Sequence, residues 1–234
     1  VGKGKMASPE DIVKLIEKTV SPIQDFDGKT VLVTAGATRE PIDGVRYISN
    51  SSSGKMGFEI AKAVQERGGK VILVKGFTTA QVPNGIFKTI YVETTAEMYD
   101  AVLTNLSDAD IVIKAAAPSD YKVKNYSNQK IKAETLTLEL EKNPDIAKAV
   151  GEVKGEKKLV IFSAETENLQ ENATKKLYSK NADMVVANDV TMAGAGFNVD
   201  TNIVTLITRS DEESLPVMSK RDVANAILDR TIKL

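Results

Sequence analysis

The chain has 234 residues, a length that suits one large domain or two small ones. Its 31 Lys plus Arg and 32 Asp plus Glu give a net charge of −1, which argues against a general nucleic-acid or membrane-surface binder. The absence of Cys and His excludes disulfides, thiolate nucleophiles, Ser-His-Asp triads and the commonest transition-metal ligands. The functional groups that remain are those of Lys, Asp, Glu, Asn, Ser and Tyr and the backbone amides. Together with a hard cation such as Mg²⁺, they suit phosphoryl or nucleotidyl transfer.

Residues 1–27 differ in composition from the rest of the chain. A polar stretch rich in Gly and Lys precedes a short predicted helix, which has Ser8 as N-cap and Pro9 at its first position and ends at Ser21-Pro22. We interpret 1–27 either as a frayed terminus or as a linker from an upstream domain. The chain has no apolar run of the roughly 20 residues that span a bilayer and no signal-peptide core, so we expect a cytoplasmic protein.

Residues 28–234 alternate between short apolar runs and amphipathic segments, which predicts one α/β domain with a parallel, doubly wound sheet. The first half has predicted strands over 29–34, 70–75, 87–93 and 109–115, and helices over 55–67 and 95–106. The second half begins with a half-exposed antiparallel strand over 134–141, a helix over 143–153, a strand over 158–163, a helix over 167–180 and a strand over 183–187. A closing hairpin over 203–208 and 214–218 and a helix over 219–231 follow. We therefore expect an antiparallel addition at one edge of the sheet, of a kind that often pairs across a dimer axis.

The loop after the first strand combines small residues with the start of a helix. Ser52, Ser53 and Gly54 let backbone amides approach a phosphate, although an ordinary N-cap loop fits the pattern equally well. The side-chain amide of Asn50 can donate a hydrogen bond to a reacting carbonyl or phosphoryl oxygen and accept one from an amine. The alternative interpretation is that Asn50 is a turn residue. Arg46, like Arg39, suits a phosphate or carboxylate, with surface solvation as the alternative.

The loop after the fourth strand begins with Lys114, Ala115 and Ala116, which suit a flat ring or a ribose or else pack in the core. Asp120 suits a hydroxyl, an exocyclic amine or Mg²⁺. Lys130 lies in a basic, polar segment that is either a flap closing over an anion or a solvated loop.

Three later segments complete the candidate residues. Asn143-Pro144-Asp145 opens a helix before Ile146, with ordinary capping as the alternative to ligand binding. Phe162 ends a strand and either stacks on a base or packs in the core. Lys176 and Lys180 share a helix face, as they would around a triphosphate or on a solvated surface.

These segments resemble the phosphopantothenoylcysteine synthetase family over nearly the whole chain from about Gly28. The motifs that carry this resemblance are VTAGATREPIDGVRYISNSSSGKMG, AAAPSDY, QKIK, KNPDI, IFSAET, VVANDV and GFNVDTN. The sequence GKGKMASPEDI also resembles the joint that follows the decarboxylase in bifunctional relatives. Two departures are Ser51, where relatives often have His, and Pro118-Ser119, where they often have Val-Ala.

The resemblance implies a Rossmann-like fold, a homodimer and a ligase of coenzyme A biosynthesis that uses CTP with Mg²⁺. Its substrates would be 4′-phosphopantothenate, CTP and L-cysteine, with an acyl-cytidylate intermediate. It implies catalytic roles for Asn50 and the flap residue Lys130. It implies nucleotide contacts from Lys114, Ala115, Ala116, Asp120, Lys130, Asn143, Pro144, Asp145, Ile146, Phe162, Lys176 and Lys180. No Mg²⁺ ligand is assigned from the sequence.

Two other functions remain open at this point. A nicotinamide-dependent oxidoreductase is disfavoured, because the first loop lacks GxGxxG and the second strand ends in Lys75, where an acid would bind the ribose. A nucleotide-binding module without turnover is disfavoured by Asn50 and Lys130 beside the nucleotide positions.

Overall fold

The computed structural model describes residues 6–10, 12–13, 16, 23–165, 167–189, 196 and 199–234. The described residues between 9 and 16 are helical, as the sequence predicts, whereas Ser21-Pro22 and two residues of the GFNVDTN motif, 197 and 198, lie outside the described residues. The strands are β1 (Thr30–Ala35), β2 (Arg39–Pro41), β3 (Tyr47–Ser49), β4 (Lys70–Lys75), β5 (Lys88–Tyr91), β6 (Ile111–Lys114), β7 (Tyr121–Val123), β8 (Leu140–Lys142), β9 (Lys158–Glu165), β10 (Met184–Asp189), β11 (Thr201–Asn202), β12 (Val204–Thr208), β13 (Glu212–Ser214) and β14 (Met218–Ser219). The helices after residue 23 are α1 (Lys55–Glu66), α2 (Thr95–Thr104), α3 (Ile146–Val153), α4 (Leu169–Ser179) and α5 (Lys220–Thr231).

Eight strands form one sheet in the order β13-β12-β10-β9-β6-β1-β4-β5. The six strands from β10 to β5 are parallel, and β12 and β13 complete one edge in antiparallel pairing. The chain winds outward from β1 through β4 to β5, then returns to the other side of β1 at β6. This reversal places the switch in strand order between β1 and β6, where open α/β sheets bind ligands. The fold is therefore Rossmann-like α/β, as predicted.

Helices cover both faces of the sheet, because the parallel strands are apolar on both sides. On one face, α1 and α5 pack against alternate residues such as Val31, Val33 and Ile113. On the other face, α2, α3 and α4 pack against the intervening residues, such as Leu32 and Val112. The alternation puts the side chain of Lys114, two residues after Val112, on the side of α3 and α4. None of the described helices is both long and apolar enough to cross a membrane.

Two predictions about the antiparallel segments are corrected by the structure. The predicted strand over 134–141 is wrong, because only Leu140–Lys142 forms a strand, which pairs with β7. Leu136 and Leu140 remain exposed because no apolar layer covers this segment. The closing hairpin consists of β12 and β13, so its second strand is Glu212–Ser214 rather than 214–218. The pair Met218–Ser219 instead joins β11 in a small separate sheet.

The long loop after β1 also contains a hairpin, β2–β3, that the sequence analysis describes only as loop. A backbone hydrogen bond from Arg39 to Glu93 ties it to the start of α2, at 2.7 Å. The guanidinium group of Arg39 lies over the rings of Tyr47 and Phe77, at 4.4 and 3.5 Å from their centroids. The guanidinium group of Arg39 therefore packs between these rings, and Arg39 does not line the cavity described below.

Candidate functional site

A large cavity opens at the switch in strand order, beyond the carboxyl ends of β1, β6, β9 and β10. Its volume of about 530 Å³ is ordinary for a small-molecule site. One wall is the start of α1, and the other consists of the turn after β6, the start of α3 and the last turn of α4. The predicted site residues that line the cavity are Ser52, Ser53, Gly54, Lys114, Ala115, Ala116, Asp120, Asn143, Pro144, Asp145, Ile146, Phe162, Lys176 and Lys180.

Glycine allows the tight passage from the first loop into α1. Gly54 is the N-cap of α1 with a φ of 80°, and a Cβ there would lie 2.4 Å from Cγ2 of Thr78. Both the backbone conformation and the available space therefore require glycine. Gly57 lets α1 approach β1, since its Cβ would lie 2.6 Å from that of Ala35. The first turn of α1 and the preceding serines consequently line the cavity and suit an anion.

The turn after β6 is fixed by side chains from the β1 loop. Thr34 Oγ1 accepts a hydrogen bond from the Ala116 amide at 3.1 Å. Asn50 Nδ2 donates to the carbonyl oxygens of Ala117 and Pro118, at 3.2 and 3.0 Å. Asn50 does not line the cavity itself, but it bonds to two residues that do. The candidate catalytic amide thus lies at the edge of the site and holds its floor in place.

Lys114 places an ammonium group at the floor of the cavity. It makes no side-chain hydrogen bond or ion pair with any residue that the structure describes. Burial lowers its pKa most strongly; Lys176 and Lys180 add to the lowering, while the charges of Asp145 and Asp120 oppose it. Loss of hydration thus disfavours the charged form of Lys114, and a bound anion would relieve this.

Helices α3 and α4 bring a second group of charges to the same wall. Asp145 caps α3 by accepting from the Lys148 amide at 2.9 Å, and its other oxygen accepts from Lys180 Nζ at 2.5 Å. Burial acts to raise the pKa of Asp145, but the hydrogen bonds from Lys180 and Lys148 lower it overall. Lys176 Nζ donates to Ser163 Oγ at 2.8 Å. The two lysines predicted to share a face therefore both reach the cavity and are held there in fixed positions.

Two buried amide oxygens in the cavity wall have no partner in the described part of the chain. They are Oδ1 of Asn143 and Oδ1 of Asn188, and Asn188 is only 9% exposed. Buried polar atoms are nearly always hydrogen-bonded, so these two oxygens indicate a ligand or ordered water that donates to them. Asn188 is not one of the residues predicted from the sequence to form the site, although it belongs to the VVANDV motif that contributes to the family resemblance.

Lys220 is a second cavity residue that the sequence analysis did not single out. It is the first residue of α5, and its buried ammonium group donates to the carbonyl oxygens of Gly196, at 3.1 Å, and Val199. Burial, with a smaller effect of Lys55, lowers its pKa, and Asp200 opposes this. No sequence motif distinguishes it from an ordinary lysine at the start of a surface helix.

Arg46 and Lys130, like Asn50, are predicted site residues that do not line the cavity. Arg46 pairs with Asp43 and also donates to the carbonyl oxygen of Ile131, at 2.7 Å. Asp43 accepts from the Ile131 amide at 3.1 Å, so both backbone groups of Ile131 are held. Lys130 precedes this residue on an exposed segment and does not line the cavity. The structure thus gives Arg46 the role of anchoring the Lys130 segment.

A nicotinamide site would have an acidic residue at the end of β4, where this chain has Lys75. Lys75 Nζ donates a hydrogen bond to Thr78 Oγ1 at 3.0 Å, and burial lowers the pKa of Lys75. It does not line the cavity. The described residues therefore add nothing in favour of the oxidoreductase alternative.

Comparison with known proteins identifies similar chains. The family model described as DNA/pantothenate metabolism flavoprotein C-terminal domain matches residues 26–234. The coenzyme A biosynthesis bifunctional protein CoaBC of Bacillus subtilis is 45% identical over all of this chain and 59% of its own length. The Escherichia coli protein of the same name is 39% identical over 99% of this chain and 58% of its own length. The chain thus spans about three fifths of the curated relatives that it matches.

Solved structures show the same architecture. The crystal structure of the C-terminal domain of a CoaBC protein is similar with a TM-score of 0.78 and 40% identity, over 90% of this chain and 97% of that one. A Cab2 mutant in complex with phosphopantothenate-cysteine is similar with a TM-score of 0.71, over 98% of this chain and 95% of that one. Its 17% identity makes this second likeness one of fold alone.

Proposed function

Because the chain belongs to the family of DNA/pantothenate metabolism flavoprotein C-terminal domains, we propose that it is a CTP-dependent phosphopantothenate–cysteine ligase of coenzyme A biosynthesis. The observation that carries this proposal is the meeting of the predicted nucleotide and phosphate residues around one cavity at the switch in strand order. The names of the CoaBC relatives and of the Cab2 complex support the substrate class.

In the first step, the carboxylate of phosphopantothenate attacks the α-phosphorus of CTP. A bond forms between the carboxylate oxygen and phosphorus, the bond to the β-phosphate oxygen breaks, and pyrophosphate leaves. The cationic group of Lys114, Lys176 and Lys180 supports binding of the triphosphate, because these residues line one wall of the cavity. The start of α1 supports binding of the substrate phosphate on the opposite wall. The two anions would then approach each other across the switch point.

In the second step, the amine of cysteine attacks the acyl carbon, the bond to the phosphate oxygen breaks, and CMP leaves. The amine loses a proton to solvent as the amide forms. Asn50 lies against the floor of the cavity, and its amide oxygen forms no hydrogen bond with the described residues, which supports a role in holding the acyl-cytidylate. Lys130 would reach the intermediate by movement of its side chain or of its segment, and closure over the site would protect the anhydride from water.

The proposal includes Mg²⁺, and the cavity contains a carboxylate that fits such an ion. Groups of three or more ligating side chains are absent among the described residues, so the protein would supply few ligands. This is usual for Mg²⁺, which binds one or two carboxylates together with substrate phosphates and water. Asp120 would hold it, since its carboxylate lines the cavity and forms no side-chain hydrogen bond with the described residues. When bound, the ion would neutralise phosphoryl charge.

The homodimer and the attachment to a decarboxylase domain remain parts of the proposal. The CoaBC relatives are named bifunctional proteins, and the chain matches only part of each, which supports a second domain in the longer protein. Sedimentation of the chain at several concentrations tests the dimer.

The function is tested by measuring pyrophosphate release with Mg²⁺, phosphopantothenate and CTP, with and without cysteine. We expect release that requires CTP and phosphopantothenate, and formation of CMP and the amide once cysteine is added. ATP in place of CTP tests the choice of base. The double variant Lys176→Ala with Lys180→Ala should raise the KM for CTP, and Lys148→Ala, an exposed lysine on α3, is the matched control. CTP binding without any pyrophosphate release would favour a binding module instead.

A further inference from the structure

A buried polar cluster joins the loops that form the cavity. It consists of Thr38, Glu40, Thr95 and Ser119, and we call it the Thr95 cluster. Glu40 is 2% exposed and Thr95 is 1% exposed. The four residues come from the β1 loop, the start of α2 and the turn after β6, so the cluster links three segments that are far apart in the sequence.

The hydrogen bonds of the cluster connect its residues through the hydroxyl groups of Thr38 and Thr95. Thr38 Oγ1 accepts from the Ser119 amide at 2.9 Å, so its own hydrogen is available to Thr95 Oγ1, also at 2.9 Å. Thr95 Oγ1 has one hydrogen and two acceptors within reach, Glu40 Oε1 at 2.9 Å and the Ser119 carbonyl oxygen at 3.2 Å, so it also contacts the turn after β6 directly. The same Glu40 oxygen accepts the Thr95 amide at 2.9 Å. The cluster is therefore a chain of donors that runs from the Ser119 amide to the Glu40 carboxyl group, with Thr95 at its centre.

The cluster acts on two amide side chains of the candidate site. The Ser119 carbonyl oxygen accepts from Asn143 Nδ2 at 3.0 Å. The two residues before Ser119 are the ones whose carbonyl oxygens accept from Asn50 Nδ2. Fixing the Ser119 peptide therefore fixes the acceptors of both amides.

We propose that Thr95 is a positioning residue that, through Thr38 and the 117–119 turn, sets the orientation of Asn50 and Asn143 in the cavity. The proposal rests on the proposed function for its kinetic consequence, although the geometry itself does not. A buried polar cluster stabilises less reliably than apolar packing of the same volume, but it fixes one arrangement of the groups bonded to it. Thr95 also lines the cavity, so its hydroxyl acts beside the groups that it orients.

The test compares Thr95→Val, which removes the hydroxyl, with Thr95→Ser, which keeps it. Thr231→Val is the matched control, because Thr231 is another buried threonine whose hydroxyl bonds only within α5, to the carbonyl oxygen of Ile227 at 2.7 Å. Two quantities are measured: kcat and KM for CTP-dependent pyrophosphate release, and the NMR chemical shifts of the Asn50 and Asn143 side-chain amides in the free protein.

We expect Thr95→Val to lower kcat/KM about tenfold, as the loss of a precise hydrogen bond would, and to shift both side-chain amide signals. Thr95→Ser should restore both readouts to nearly the native values, and Thr231→Val should change neither. If Thr95→Val fails to fold, Thr38→Val interrupts the same chain of donors and should produce the same two effects.

Native amide signals together with native kinetics in a folded Thr95→Val protein would overturn the proposal. Equal loss of activity in Thr95→Val and Thr231→Val would also overturn it, because the effect would then be general destabilisation. If the native protein releases no pyrophosphate, the proposed function fails, and the amide signals alone decide whether Thr95 positions the two side chains.

Discussion

Replacing Lys114 by methionine should change stability and nucleotide binding in opposite directions. Methionine keeps the length of the side chain but removes its charge. In the ligand-free protein, the Lys114 ammonium group is half-buried and forms no ion pair with a described residue, and the loss of hydration outweighs the attraction of Asp145 and Asp120. Its removal therefore eliminates an unfavourable charge and should make the free protein more stable. In the complex, the same change removes a cation from the anion site and should weaken the binding of CTP.

The magnitudes follow from the two environments. A charge-assisted hydrogen bond is worth about 1.5–3 kcal/mol, so loss of one to a phosphate should raise the KM for CTP roughly 10- to 150-fold.

The stability gain has a defined pH dependence, because the pKa of Lys114 is lowered in the folded state. The unfolded chain binds the proton more tightly, so native stability rises with pH between the folded and unfolded pKa values. The gain from Lys114→Met should therefore be largest below the folded pKa and shrink as the pH rises through it.

Urea denaturation at several pH values and initial rates at varied CTP measure these effects. Lys142→Met is the matched control, since Lys142 also lines the cavity but is exposed, and we expect it to change stability little. A destabilised Lys114→Met protein would show that the ammonium group has a favourable partner, which contradicts the electrostatic reasoning. An unchanged KM for CTP would show that Lys114 does not contact the nucleotide.

Three further predictions concern other parts of the site. Lys130→Gln should lower the rate of amide formation more than it changes CTP binding, as judged by kinetics and calorimetry, and unchanged turnover would remove Lys130 from the mechanism. Asp43→Asn should expose the Lys130 segment to limited proteolysis. Hydrogen bonds from Arg46 lower the pKa of Asp43, although burial opposes this. The stability that Asp43 contributes should therefore be constant from about pH 5 to 8 and be lost only as the pH falls through the lowered pKa, so a loss near neutral pH would contradict this reasoning. Gly57→Ala should destabilise the protein by about 1–3 kcal/mol in urea denaturation, since its new Cβ would crowd Ala35, and a change below about 0.5 kcal/mol would mean that α1 can move away from β1 without cost.

The parallel core could be predicted from the sequence because its signal is local. Runs such as Ile111–Lys114 are apolar on both faces, and each is followed by a polar loop and an amphipathic helix. The alternation of 134–141 gave a wrong prediction because alternation alone does not provide a layer to pack against. Leu136 and Leu140 have no such layer and stay exposed.

The site was predictable where a residue type coincides with a helix start, as at Asn143, or with a shared helix face, as for Lys176 and Lys180. All three residues line the cavity. Contacts between distant segments could not be predicted. The bond from Arg46 to Ile131 spans 85 positions of the chain, and the bond from Thr95 to Glu40 spans 55. The sequence therefore indicated which groups carry charge or amides, whereas the groups that orient them emerged only from the folded chain.

The attachment of the Lys130 segment limits how far this lysine can travel. The Ser127 amide donates to the carbonyl oxygen of Ile42 at 3.3 Å, and Ile131 is held by Asp43. Only residues 128–130 lie between these two tethers, and a residue spans at most about 3.6 Å of extended chain. A tether this short permits reorientation of the side chain but no long excursion of the backbone. Lys130 can then enter the cavity only by the reach of its own side chain or together with the β2–β3 hairpin, whose turn carries both tethers.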